Sequence, residues 1–271
     1  MSSILTNVGS MVALQTLKAV NRDLTTVQNQ VSTGKAVATA KDNSASWSIA
    51  ATMNSDVASY KKLGESLATA SATVGTARVA AEQITGLLVE IQTLVVQADG
   101  KDAATIATLQ TSVNDKLAQI ISTANQAQTN GISLTSATGA NVSVMVAINR
   151  DAAGAVTKDA FTVTAVNMTT LGAALTLAAD STANLAAVDT LIDTAKAAAA
   201  SFGAAQTRIE GQADFVSKQM DSLKNGVSAL VDADMEEASA RLSALQTQQQ
   251  LGIQALSIAN QAPQSIMSLF R

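Results

Sequence analysis

The densest group of side chains able to hold an ion lies at 232–237, where "DADMEE" brings Asp232, Asp234, Glu236 and Glu237 together. Carboxylates at that density suit a hard cation with oxygen ligands. At the start of a helix the same residues complement its dipole, with Asp232 or Asp234 as the cap, and that reading needs no ligand. "DGKD" at 99–102 has the letters of a calcium loop without its ligand spacing, so it reads as a turn between helices. Asn141 and Asn167 open two glycosylation sequons by spelling, with Ser143 and Thr169 as their third residues; with no secretory signal ahead of them, they read as chance. There is no His and no Cys, which removes imidazole general bases, thiolate chemistry, disulfides and the usual zinc sites. No Gly-rich phosphate loop or nucleophile elbow is present. These residue types predict no catalytic, metal or cofactor site, and the chain reads as a protein that is not an enzyme.

A chain with so little chemistry has to be read through its elements. Its 271 residues can bury a sizeable core, yet aromatics are 2% and charged residues 14% of the whole. Small apolar side chains at regular spacing suit thin, closely packed helices. A net charge of −4 with no basic run argues against nucleic acid. No uninterrupted apolar run reaches about 18 residues, so no membrane span is predicted. The N-terminus has no basic n-region, and taken alone this suggests a cytoplasmic protein.

From Tyr60 to Ala98 the residues Tyr60, Leu63, Leu67, Ala70, Val74, Ala77, Ala81, Ile84, Leu88, Ile91, Val95 and Ala98 step by three and four without a miss. This is the seam of a long helix. A second helix runs over about 103–128, with Val113, Leu117 and Ile120 on one face and "NG" at 130–131 as its stop. Two Val- and Thr-rich runs, 142–148 and 161–166, read as a hairpin between Thr- and Ala-rich linkers. Helical period returns at Val188 and continues through Phe202, Ile209, Val216 and Leu230, with Gln206 polar on the seam. A last helix over about 234–269 carries Leu242, Leu245, Leu256, Ile266 and Phe270, interrupted at Gln249, Gly252 and Pro263. At the front, Leu17, Val20, Leu24, Val27 and Val31 match a helix ending near Gly34. Trp47 and Tyr60 read as packing residues at the edge of the bundle.

The fold class is therefore mainly α: a long antiparallel, coiled-coil-like bundle with paired N- and C-terminal helices and a small β-hairpin insertion. Its parts are terminal helices at 1–40 and 231–271, a helical bundle at 41–131 and 184–230, and a short variable segment at 132–183. Both tails are apolar where most chains fray into polar residues. An Ala- and Gln-rich pair buries little at about 25 cal/mol per Å² against about 1–2 kcal/mol per residue of backbone entropy. The tails are thus expected to be ordered by other copies and loose in the monomer. A surface that fits a different surface on the next copy grows as an open helix.

Four segments carry a family resemblance. "LVDADMEEASARLSALQTQQQLGIQALSIANQAPQSIMSLFR" at 230–271 resembles the C-terminal signature of bacterial flagellins. "QNQVSTGKAVATAKDNSASWSIA" at 28–50, "ANQAQTNG" at 124–131 and "FGAAQTRIE" at 202–210 resemble that family's front turn, second core helix and C-terminal bundle helix. The resemblance implies a flagellar filament subunit, located extracellularly and exported unfolded by the flagellar type III apparatus, which reverses the cytoplasmic reading. It implies other copies of the chain in an open helical polymer, an export chaperone, and hook-associated and cap proteins as partners, with no cofactor, nucleic acid or membrane. In that family the terminal helices pair to line an inner tube, the longer helices form an outer tube, and the middle segment projects outward. Leu17, Val20, Leu24, Leu242, Leu245, Leu256, Ile266 and Phe270 are then expected to pack the inner tube, and Leu88, Ile91, Val95, Phe202, Ile209 and Val216 the bundle core. The alternatives are a hook–filament junction protein, whose termini are similar, and a non-flagellar coiled-coil adaptor. The chain departs from the common family pattern at Asp42-Asn43-Ser44-Ala45-Ser46, followed by Trp47, and at Gln92-Thr93, where many members carry an Arg-Glu pair. The second departure implies weak recognition by the animal innate flagellin receptor.

Overall fold

The structure, a computed structural model, describes residues 7–150, 155–173, 175–177 and 182–269, the last eight by their backbone alone. Among these residues the order is α1 (Val8–Thr33), α2 (Ser44–Ala98), α3 (Ala103–Gln126), a short hairpin of β1 (Gln128–Thr129) and β2 (Ile132–Ser133), a longer hairpin of β3 (Val142–Arg150) and β4 (Val156–Val163), a 3-10 turn (Met168–Gly172), α4 (Thr182–Val231) and α5 (Met235–Leu269). The chain divides into two compact units, a terminal unit of 1–57 with 222–271 and a bundle unit of 58–221. The boundary falls inside α2 and α4, where the sequence pattern set it at 40 and 231.

In the bundle unit the heptad seam of α2 is buried from Leu63 to Ala98 at 9% exposure or less, and Tyr60 closes it half-buried. Strict seven-residue spacing keeps that stripe on one side of the helix, so neighbouring helices can cover all of it. α4 runs antiparallel to α2: Gln92 donates to Asp189 at 2.5 Å, and Arg78 Nε donates to Gln206 Oε1 at 3.0 Å. α3 is antiparallel as well, tied by the Lys116–Glu90 ion pair at 2.5 Å, and just beyond it Thr129 of β1 meets the Thr76 hydroxyl at 3.1 Å. Val113, Leu117, Ile120 and Ala124 of α3 join the α2 and α4 residues in one apolar cluster. By length and composition α2 would also pass for a membrane span, but from Leu63 its apolar seam is interior to this unit.

Three parts of the 127–177 region differ from the sequence pattern. "NG" does more than stop α3: Asn130 at φ 52° and Gly131 at φ 78° make the tight turn between β1 and β2, the left-handed pair that a two-residue hairpin requires. In the longer hairpin, β4 spans 156–163 in place of the predicted 161–166, pairing Val142 with Val163 and Arg150 with Val156. Its first residues are exposed on both sides, so no alternation marks its start. Ala165 and Val166 leave the ladder because their amides donate to Asn141 Oδ1 and to the Leu134 carbonyl. Finally, the expected linker contains the 3-10 turn, capped by Asn167 and burying Met168 and Leu171. There Gly172 lies so close to α3 that a Cβ would sit 2.8 Å from the Leu117 carbonyl oxygen. Both sequon asparagines thus serve as local acceptors.

In the terminal unit, Asn7 caps α1 through its side chain, and Gly34 ends the helix in the left-handed region at φ 70°. Beyond it, Ala36 N–H donates to the Val231 carbonyl at 2.7 Å and Ala233 N–H to the Gly34 carbonyl at 2.9 Å. The "STGKAV" turn and the "DAD" turn, far apart in sequence, are therefore stitched together. Asp42 accepts from the Thr39 and Ala38 amides and the Thr39 hydroxyl, which hold its carboxyl below the ordinary value. Asn43 Oδ1 accepts from the amides of Ala45 and Ser46, which caps α2 well before its seam begins at Tyr60. α5 is continuous through Gly252 and Pro263, where the pattern marked interruptions.

Candidate assembly face

Asp234 Oδ1 accepts from the amides of Glu236 and Glu237 at 2.9 and 3.2 Å. The acidic run is thus a helix start, and among the described residues no three His, Cys, Asp or Glu groups converge on a possible metal position. Asp102 likewise caps α3; its carboxyl is held low first by the Thr105 hydroxyl and then by the Thr105 amide. Glu65 is held low by Lys62, which donates to it at 2.8 Å. All three resolved shifts stabilise an anion, the opposite of an acid or base poised near neutral pH. The paired terminal helices offer a candidate site of another kind, a surface.

That surface is built on α1 and α5, which pair antiparallel within one chain. Asn7 Nδ2 donates to the Ala259 carbonyl at 2.7 Å, Ser10 to Asn260 at 2.8 Å, and Gln249 to Asn21 at 2.7 Å. Leu24, Val27 and Leu245 form a small buried cluster, with Val20, Val31 and Leu242 packed on its edge. Leu17 and Leu256 are half-buried. Gly252 makes room for Leu17, whose Cδ1 would lie 3.2 Å from an added Cβ. So the pattern's interruption at Gly252 is a close contact. Of the predicted tail residues, Phe270 lies outside the described residues and Ile266 is described by its backbone only.

A two-helix pair in water should turn polar residues outward. Here Val8, Met11 and Val12, spaced i, i+3 and i+4 on the side of α1 away from Leu24, are 58–67% exposed. On α5, Leu251 and Ile258, one heptad apart, are 58% and 69% exposed. An apolar stripe of this kind on paired helices marks a surface that another molecule covers. Seam analysis missed these five residues because it followed the intramolecular stripe; a second apolar phase on the same helices was the available signal.

Of the residues expected in the bundle core, Leu88, Ile91, Val95, Phe202 and Ile209 have no exposed surface and Val216 has 1%. Gln206, the polar seam position, is half-buried between Arg78 and Glu210. Tyr60 packs as expected and its hydroxyl donates to the Ile148 carbonyl at 3.2 Å. Trp47 does not: it is 43% exposed.

Comparison with known proteins agrees with this reading. The model of the bacterial flagellin N-terminal helical region matches residues 4–140, and that of the C-terminal helical region matches 185–270. Flagellin FljK of Caulobacter vibrioides is 38% identical over 279 residues, covering 100% of this chain and 99% of that protein. A Brucella melitensis flagellin is 39% identical over 286 residues and flagellin C of Rhizobium meliloti 35% over 323, each covering 100% of both chains. The chain belongs to the bacterial flagellin family, the structural proteins that polymerise into the flagellar filament.

Proposed function

We propose that this subunit leaves the cell unfolded through the flagellar type III apparatus, handed over by an export chaperone, and polymerises outside it between hook-associated proteins and a cap. In the polymer α1 and α5 line an inner tube through Leu17, Val20, Leu24, Leu242, Leu245, Leu256, Ile266 and Phe270. Residues 41–131 and 184–230 form the outer tube around Leu88, Ile91, Val95, Phe202, Ile209 and Val216, and the short segment at 132–183 projects outward. The observation that carries this reading is the exposed stripe of Val8, Met11, Val12, Leu251 and Ile258 on helices that already use their other side on each other. A chain free of His and Cys is also suited to passage through a narrow channel without metal or disulfide traps.

The test is electron microscopy of purified monomer seeded with sheared filament fragments. Uniform tubes that disappear when residues 264–271 are deleted support the reading. A full-length chain that stays monomeric, with both tails protected from protease, overturns it in favour of a coiled coil that folds back on itself.

A further inference from the structure

The terminal unit carries a groove of about 930 Å³ between the C-terminal half of α1 and the loop at 35–42. Its charges are Arg22, Lys35, Lys41 and Asp42, three cations against one carboxylate, for a net of +2. The Asp42 carboxylate already accepts from the Ala38 and Thr39 amides and the Thr39 hydroxyl, so it faces its own loop. Thr25, Thr26 and Thr33 donate their hydroxyl protons to carbonyls four residues back, so the charge of the groove is set by its cations. Arg22 and Lys35 make no ion pair among the described residues. A groove of this kind takes an anionic segment.

The chain supplies one. Asp232, Glu236 and Glu237 are exposed around the start of α5, and none of them forms an ion pair among the described residues. Although Lys35 pairs with Asp232 through the backbone, no α5 residue lines the groove. The two charged surfaces of one copy therefore lie side by side without satisfying each other. Complementary patches on one unit that do not meet internally suit a head-to-tail contact, which repeats as an open helix where the rotation between copies does not close. We propose that the groove of one copy receives the acidic first turn of α5 from a second copy, on the same α1 whose N-terminal half carries the apolar stripe. This rests on the filament reading and adds to it the charged contact that selects the register between subunits. Such rim charges act mainly on the rate and specificity of docking.

Charge reversal tests it in the full chain, with circular dichroism confirming the fold of each variant. Lys35→Glu with Lys41→Glu reverses the groove, and Glu236→Lys with Glu237→Lys reverses the turn. Each variant alone is expected to elongate its own seeds about tenfold more slowly than the unaltered chain. An equimolar mixture is expected to recover, because each reversed groove then meets a reversed turn on another copy. Glu236→Gln with Glu237→Gln, which puts no cation at the helix start, is expected to slow growth as well. Wild-type growth by the groove variant overturns the proposal. So does a mixture no faster than its parts when a chain carrying all four reversals recovers, since that result places the pairing inside one chain. If the unaltered chain fails to elongate seeds, the filament reading falls first, and with it this one.

Discussion

The bundle unit and the terminal unit are written in the same apolar rhythm and put it to different use. In the bundle unit the stripe from Leu63 to Ala98 is covered by α3 and α4 of the same unit, down to zero exposure at Leu88, Ile91 and Val95. In the terminal unit the described residues of the paired helices α1 and α5 bury a small cluster of Leu24, Val27 and Leu245, and leave Met11, Val12, Leu251 and Ile258 in water. A helix touched from several sides can bury its whole seam, though α2 still leaves Val79, Val89 and Val96 43–56% exposed, whereas each member of a two-helix pair can bury one stripe. The second stripe is surplus for folding and available for assembly. What differs is how many neighbours each helix finds within its own unit.

The largest expected effect lies in the stripe that α1 and α5 spend on each other. Leu245→Asp or Leu256→Asp abolishes seeded filament growth by electron microscopy, while the thermal transition of the 58–221 unit by circular dichroism stays in place. Normal filaments from either variant would break the division of labour between the units. Next, Phe202→Ala, which empties a fully buried site, costs about 3–5 kcal/mol in urea unfolding of the monomer. Leu24→Ala in the terminal pair falls at or below the ~2 kcal/mol low end for its type, because two helices collapse more easily around a cavity. Equal costs would mean that the two units are equally well packed.

A smaller effect is expected at Gly172→Ala. The added methyl meets a carbonyl oxygen of α3 at 2.8 Å and Ile121 Cγ1 at 2.5 Å, so the turn must move and stability drops by about 1–3 kcal/mol. Gly64→Ala, with open space around it, is the control and stays within about 1 kcal/mol. The smallest effect is set by pH at Asp102. Its carboxyl titrates below its ordinary 3.8 in the folded chain because of Thr105. Its contribution is therefore complete above that ordinary value and is lost as the pH falls through the lower folded one. Asp102→Asn flattens this acid limb in thermal melts recorded below pH 4 and leaves the rest of the curve unchanged.

Much of the bundle was legible because periodicity is a local signal: each of the seam residues from Leu63 to Ala98 can be read from its neighbours three and four positions away. β4 was shifted because its first residues are solvated on both sides and write no alternation. The 3-10 turn was missed because its burial comes from α3 and from Thr135, whose carbonyl accepts the Met168 amide, and no short window of sequence contains them. Pro263 and Gly252 looked like breaks by propensity, yet α5 runs through both; at Gly252 the missing side chain is what lets Leu17 approach.

By itself, the sequence determined the helical class, the absence of His and Cys, the seams and, by resemblance, the family. These rest on residue types and on spacings that every copy of the chain carries in one dimension. Only the tertiary structure decided which apolar phase of α1 and α5 is spent within the chain and which is left over. It also decided that the turns after Gly34 and before Met235 hydrogen-bond to each other. Both depend on which helix lies against which, and a seam can be read from one strand of sequence while its partner cannot.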